Sequence, residues 1–369
     1  MTNPFDTSAG CRGPLAGLRV VEFASMGPGP HAAMMLADLG AEVLRIDRPG
    51  GLPDANPLLD RGRATIDINL RDPAGRDRAL AIVEKADVLI EGNRPGVMER
   101  LGLGPDAVLA RNPGLIYGRM TGWGQTGPLA QRAGHDLTYL AITGALAGIG
   151  LPGQPAVPPL NLVGDFGGGS TYLVFGILAA LYERQSSGLG QIVDAAIVDG
   201  VHSLMAMFTG FAQTGRISMA RERNLLGGAA PFYRCYLCSD GREIAVGAIE
   251  PHFYRNLLEA IEAPLEWLDD QNNAEAWPER CAQMASIFLT RTRDEWAALL
   301  DGLDACAAPV LELAEVPAHP HNRDRRTHVM QDSLWQNMPA PRLSRTPGQV
   351  RGPVDAEAML SAWQAAADN

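Results

Sequence analysis

Leu18-Arg19-Val20-Val21-Glu22-Phe23, then Gly27-Pro28-Gly29-Pro30, then His31 to Leu39, Gly40, and Glu42 to Ile46: this stretch decides the fold. Leu18 to Phe23 has the apolar, β-branched character of a buried strand. The glycine-proline turn leads into a short helix over His31 to Leu39, which Gly40 stops. Glu42 to Ile46 reads as a second buried strand, so the whole is a βαβ unit. Its turn, Gly27 to Ala32, has the form G-x-G-x-x-A, and Asp47 follows about twenty residues on, as in a dinucleotide site. A nicotinamide-dependent dehydrogenase is therefore one reading. Pro28 and Pro30 count against it, because they delete two of the amide donors that a pyrophosphate needs.

The alternation continues outward. Ala64 to Leu70 reads as a strand, Asp72-Pro73 as an N-cap and first-turn proline, and a helix runs to about Lys85. Asp87 to Glu91 is a further strand, followed by Gly92 to Gly96 and a helix ending near Leu101. Leu115 to Met120 is another strand. Strands alternating with helices imply an α/β, Rossmann-like large domain with a mainly parallel sheet. Ligands of such sheets collect at the carboxyl ends of the strands. Arg48, Arg71, Arg94 and Arg100 fall in or just after those ends. Each alone reads as a solvated surface arginine; at equivalent places the four suit a phosphate site.

Between Thr121 and Ser170 glycine becomes dense, in Gly122-Trp123-Gly124-Gln125-Thr126-Gly127-Pro128, Gly134-His135-Asp136 and Gly164-Asp165-Phe166-Gly167-Gly168-Gly169. This suggests backbone approaching a ligand beside two titratable groups, against the plainer reading of two turns and a capping aspartate. Asp165 is read as opening the longest helix, Phe166 to Arg184, which breaks at Ser186-Ser187-Gly188. Gln191 to Ala195 follows as a strand and then a Met-rich helix to about Thr214. The expected domains are 1–215, completed by 325–369; a linker, 216–228; and a smaller α+β domain, 229–324. The last would hold a strand pair, Tyr233–Cys238 and Glu243–Ala248 about Ser239-Asp240-Gly241, with helices Pro251–Ala263, Trp277–Leu289 and Arg293–Leu300 and a strand, Ala307–Leu311. Met338 to Thr346 reads as an extended strand returning to the first domain.

At 369 residues, two domains are the default, and the 46% hydrophobic and 20% charged content is that of a globular chain. The net charge of −11, with no Lys/Arg-rich run, argues against a nucleic-acid partner. No apolar run is read as membrane-spanning, so no membrane partner is expected. Met1 to Gly10 lacks the pattern of a signal peptide and the closing Ala366-Ala367-Asp368-Asn369 carries no address, so a cytoplasmic location is expected. The five cysteines, Cys11, Cys235, Cys238, Cys281 and Cys306, are odd in number and scattered, as in a reducing compartment. Cys235 and Cys238 have the spacing of half a zinc site, but no second pair accompanies them and they lie in a strand pattern, so no metal is expected.

Three residues carry the candidate chemistry. His135 among glycines suits general acid/base work. Asp165 at a helix start would be held ionised by amide donors and the helix dipole, while burial would act the other way. Glu250, before Pro251, is an N-cap whose carboxylate could orient a histidine. Asp165 and Glu250 may equally be read as caps alone.

The ordered series Gly17 to Glu22, Gly27 to Pro30, Asp38 to Arg45, Asp87 to Glu91, Arg94 to Gly96, Gly122 to Pro128, Gly134 to Asp136, Gly164 to Gly169 and Gly247 to Pro251 resembles the family III coenzyme A transferases. Within them it resembles the α-methylacyl-coenzyme A racemases, from Pro14 to about Thr346. The resemblance implies an interlocked homodimer whose active site lies between the large domain of one subunit and the small domain of the other. It implies that His135 and Asp165 are the acid/base pair, with Glu250 as partner of the histidine. Coenzyme A contacts are implied at Arg48, Ile68, Asn69, Leu70, Arg71, Gly92, Asn93, Arg94, Arg100, Gly134, Asp136, Leu137, Thr138 and Tyr139. Met205, Met207 and Met219 become candidates for the acyl side, although Met on a helix often fills a core.

The implied chemistry is racemisation of an acyl-CoA through an enolate, with two bases on opposite faces and backbone amides, that of Asp136 among them, on the thioester oxygen. Water must be kept out, and no metal or redox cofactor is needed. A coenzyme A transferase would instead use Asp165 as nucleophile, and a second base at His135 would be superfluous. A non-catalytic acyl-CoA binding protein would need the arginines and neither base.

Overall fold

The computed structural model of the chain describes residues 13–51 and 56–365. Cys11 and the terminal residues on which the targeting expectations rest lie outside them. The chain divides into two units, Met1–Thr143 with Leu160–Leu204 and Asp324–Asn369, and Gly144–Pro159 with Met205–Arg323. The second unit thus takes an excursion, Gly144–Pro159, that was read as part of the large domain. The tie is local to that unit: Arg221 Nε donates to the Ala147 carbonyl at 2.9 Å, its Nη1 reaches the Gln154 carbonyl, and Met219 packs on Gly148.

The first unit is built on strands β1 (Arg19–Phe23), β2 (Glu42–Asp47), β3 (Arg63–Asp67), β4 (Val88–Glu91), β5 (Ile116–Thr121) and β6 (Ile192–Ala196). They form one sheet in the order β3-β2-β1-β4-β5-β6, and every pairing is parallel. Helices α1 (Pro28–Asp38), α2 (Pro73–Val83), α3 (Val97–Arg100), α4 (Pro105–Arg111) and α5 (Asp136–Ala141) intervene. The order reverses at β1 and β4, which opens the crevice where open α/β sheets hold ligands. Val21, Leu44, Leu89 and Tyr117 are fully buried in the core. The near-continuous apolar strands follow from a sheet covered on both faces.

Pro28 and Pro30 fall inside the first turn of α1, which starts three residues before the expected His31. First-turn N–H groups have no intrahelical acceptor, so proline costs nothing there. Asp72 caps α2 by accepting from the Ala74 N–H at 3.3 Å, as its spacing suggested.

The largest departure concerns Asp165. It does not open a helix. Leu162–Ser170 is π-helical and runs without a break into α6 (Thr171–Ser187), where Gly188 closes the helix with φ +73°. The joined helix, Leu162–Ser187, is 26 residues long and apolar enough by length and composition to cross a membrane, contrary to the expectation that no run would be. It packs on β5, β6, α1 and α7 (Ile197–Leu204) of the same unit. The Met-rich segment is two helices, α7 and, in the second unit, α8 (Ala206–Gln213).

The second unit holds an antiparallel sheet of β7 (Tyr233–Leu237), β8 (Glu243–Gly247) and β9 (Ala307–Pro309). Helices α9 (Pro251–Ala260), α10 (Trp277–Phe288) and α11 (Arg293–Leu300) complete it, with α12 (Pro320–Asp324) at its end. Phe288 sits 5.0 Å from Tyr236 and 5.2 Å from Trp296, ring to ring, at the centre of its core. Cys235 is exposed and Cys238 buried, so the pair does not face one site.

Met338 to Thr346 is not a strand; three prolines in 339–347 remove ladder donors. The strands of that region lie earlier, in a hairpin of β10 (His328–Gln331) and β11 (Leu334–Asn337) that the sequence reading missed. The return to the sheet is made instead by Gln349, whose N–H donates to the Asp38 carbonyl at 2.8 Å, and by α13 (Ala356–Ala365), whose buried Trp363 donates to Glu42 at 2.5 Å.

Candidate active site

Beyond the carboxyl ends of β1 to β4 lies a cavity of about 750 Å³. Arg48, Ile68, Asn69, Leu70, Arg71, Asn93 and Arg100 line it, with Phe23, Asp47, Val97 and Leu101. Short side-chain bonds shape its rim. Asp47 accepts from the Arg48 N–H at 2.8 Å, Asn69 from the Arg71 N–H at 3.1 Å, and buried Glu91 from the Asn93 N–H at 2.6 Å. Among the described residues Arg48, Arg71 and Arg100 form no ion pair, so three exposed guanidinium groups face one cavity uncompensated. Such a set suits a polyanion. Asp47, noted above only as a possible ribose acid, was absent from the expected contacts although it ends β2. Arg94 and Gly92 are not on the cavity wall. Gly92 instead abuts Ser25, and the charge of Arg94 acts on Tyr139.

The second cluster belongs to the Gly-rich stretch. His135 is the exposed N-cap of α5; its N–H donates to Thr138 Oγ1 at 3.0 Å and the Thr138 hydroxyl donates back to its carbonyl at 2.7 Å. Thr138 therefore holds the helix start, and Leu137 is exposed. The Asp136 N–H, at the first helical position, has no acceptor among the described residues, as expected of a helix start. Tyr139 packs edge-on against Trp123, with ring centroids 4.7 Å apart. A Cβ on Gly122 or Gly134 would strike the Tyr139 ring, at 2.0 and 2.4 Å. Those two glycines serve side-chain packing next to the histidine.

Asp165 sits beside this helix. Its N–H donates to Asp136 Oδ1 at 2.6 Å, while its own carboxylate receives Asn161 Nδ2 at 3.5 Å, one helical turn before it. Asn161 lies between Thr121 and Ser170, and its i, i+4 spacing to Asp165 was the available signal. Burial pushes the Asp165 carboxyl up, the Asp136 charge adds to this, and Asn161 and His135 oppose it. This corrects the expectation that helix-start amides would favour the ionised form: the nearby amides serve Asp136. Burial likewise raises the Tyr139 hydroxyl, helped by Asp165 and opposed by Arg94.

The dinucleotide turn has a different occupant. A Cβ on Gly27, whose φ is +73°, would lie 3.3 Å from Asp165 Oδ2. The glycine gives room to the Asp165 side chain, which occupies the turn where a pyrophosphate would lie, so the dehydrogenase reading fails on space as well as on the missing donors. Underneath, His31 Nδ1 bonds Ser170 Oγ at 2.7 Å and its ring stacks on Phe166 at 4.4 Å. Burial, and secondarily Arg61, hold that imidazole below its ordinary range.

Glu250 belongs to the second unit. It is the exposed N-cap of α9 and makes no side-chain capping bond. It is therefore not engaged as a cap. α8, with Met207 on it and Met205 as its N-cap, has no buried residue, whereas Met219 packs on Gly148. Among the described residues no group of three or more His, Cys, Asp or Glu is placed to hold a metal ion.

The sequence profile of CoA-transferase family III matches residues 15–354. The chain is 43% identical over 334 residues to an α-methylacyl-CoA racemase of Mus musculus, covering 90% of this chain and 87% of that one. It is 40% identical, with the same coverage, to an α-methylacyl-CoA racemase of Homo sapiens. Among solved structures, a CAIB/BAIF family protein from Brucella suis superimposes with a TM-score of 0.80 at 27% identity, covering 96% of this chain and 99% of that one.

Proposed function

Because the chain belongs to CoA-transferase family III, we propose that it is an isomerase that interconverts (R)- and (S)-2-methylacyl-CoA thioesters by 1,1-proton transfer. One observation carries this reading: the first unit presents an imidazole and a carboxyl of raised proton affinity on neighbouring segments, with the helix-start N–H of Asp136 next in the chain to the imidazole. One group takes the α-proton while the other returns one to the opposite face. The Asp136 N–H stabilises the enolate oxygen in between; one such donor is worth roughly 3 kcal/mol. Coenzyme A lies along the arginine-lined cavity. A transferase would use Asp165 as nucleophile and would leave the His135 imidazole without a role.

In this reading Glu250 orients His135 across the interface of an interlocked homodimer. The unburied helix α8 and the exposed Phe175 and Tyr182 of α6 support such a partner surface. The acid/base chemistry calls for no metal or redox cofactor, and the proposed setting is the cytoplasm, without membrane or nucleic-acid partners.

The decisive experiment incubates one enantiomer of a 2-methylacyl-CoA in deuterium oxide. Loss of configuration together with α-deuteration is the expected result. Acyl transfer to a free carboxylate without α-exchange would overturn it. Arg71→Ala and Arg100→Ala should each weaken thioester binding with the fold intact, since a charge-assisted contact is worth about 1.5–3 kcal/mol. Unchanged affinity by calorimetry in both variants would remove the proposed phosphate site.

A further inference from the structure

The side chain of Asp136 does something that its backbone amide does not account for. Oδ1 accepts the Asp165 N–H at 2.6 Å, and the neighbouring Gly164 N–H favours the charged form of the same carboxylate. The space it fills is reserved for it, because a Cβ on Gly164 would lie 2.2 Å from Asp136 Oδ1. The carboxylate thus spans from the residue after His135 to the backbone of Asp165 itself.

We propose that Asp136 is a positioning residue of the isomerase, which ties the segment carrying Asp165 to the helix carrying His135 and, by its negative charge, sets the resting proton on Asp165. The role in turnover rests on the isomerase reading above.

Two carboxyl groups this close do not both ionise freely, and the environment decides which one keeps the charge. Asp136 receives the Asp165 N–H at 2.6 Å. Asp165 receives only the long contact from Asn161. This geometry favours the negative charge on Asp136 over Asp165. Burial raises both carboxyls; the Asp165 and Gly164 amides oppose the rise at Asp136, while the Asp136 charge adds to it at Asp165. Other titratable and charged groups sit on elements packed against this turn: Tyr139 of α5, His31 of α1, Asp199 and His202 of α7, Arg119 of β5 and Asp194 of β6. Glu183 and Arg184 lie at the far end of α6. Of all these and the α5 groups, Asp136 and His135 are the charges that act on Asp165.

The test compares the full-length enzyme with Asp136→Asn, which keeps an acceptor oxygen in the same place and removes the charge. In a carboxyl carbon-13 NMR titration the Asp165 midpoint should fall by about one pH unit, a tenfold change in proton affinity. The kcat should drop roughly tenfold with KM nearly unchanged, and the basic limb of the pH profile should move down with the midpoint. Asp136→Ala and Gly164→Ala, which also break the tie, should lose roughly a hundredfold in kcat. An unmoved Asp165 midpoint in Asp136→Asn would sink the charge role. Wild-type kcat in a folded Asp136→Ala would sink the tie. A wild-type enzyme without α-exchange would overturn the isomerase reading alone, since the NMR comparison does not depend on turnover.

Discussion

Replacing His135 by alanine is expected to abolish net racemisation in both directions, by roughly two to four orders of magnitude. The same variant should still wash the α-hydrogen out of one enantiomer, because Asp165 can remove and return a proton on its own face. Asp165→Ala should show the mirror pattern with the other enantiomer. The geometric motive is that the two groups stand on separate segments, His135 at the head of α5 and Asp165 within the π-helical turn. His135 is exposed, so its removal should cost the fold about 1 kcal/mol or less. Exchange followed by NMR for each enantiomer separately decides the matter. Equal loss of exchange with both enantiomers in both variants would mean that the residues act as one unit and that the two-face assignment is wrong.

Gly200→Ala is expected to be among the most damaging small substitutions in the first unit. Its new Cβ would lie 1.9 Å from the Gly168 carbonyl oxygen and 2.9 Å from the Gly168 Cα, which are backbone atoms that cannot swing aside. Helix α7 and the π-helical segment must therefore separate. Overpacking of this kind costs typically about 1–3 kcal/mol and occasionally more. The urea midpoint should fall accordingly, and activity should fall with it, because Gly168 is three residues from Asp165 on the displaced segment. Gly210→Ala is the control: it is interior to α8 with nothing within 4 Å of the added carbon, and should be neutral or slightly stabilising. Equal midpoints for Gly200→Ala and the unaltered chain would contradict the close approach of the two helices.

The glycines show where reading from sequence stops. Glycine is dense between Thr121 and Ser170; there Gly164 makes room for the Asp136 carboxylate, as Gly27, outside that stretch, does for Asp165. Gly168 answers instead to Gly200 in α7, a contact between backbones on different helices. Nothing in the local pattern separates these uses. The arginines were legible for the opposite reason. A residue following a parallel strand stays at the carboxyl edge of the sheet, so Arg48, directly after β2, and Arg71, four residues after β3, reach the cavity, and Arg100 joins them from the one-turn helix after β4.

What the sequence by itself determined is the parallel character of the sheet: strand-helix alternation, buried apolar strands and capped helix starts are set by neighbours a few residues apart. Only the tertiary structure decided the surroundings of Asp165. Asp165 loses the expected amide donors because its turn is π-helical, and its N–H goes to Asp136, 29 residues away. Sequence pattern reports which side chains are buried, through periodicity. It cannot report which of two carboxylates receives the amides, because hydrogen bonds across a fold depend on positions fixed only when the helices have packed.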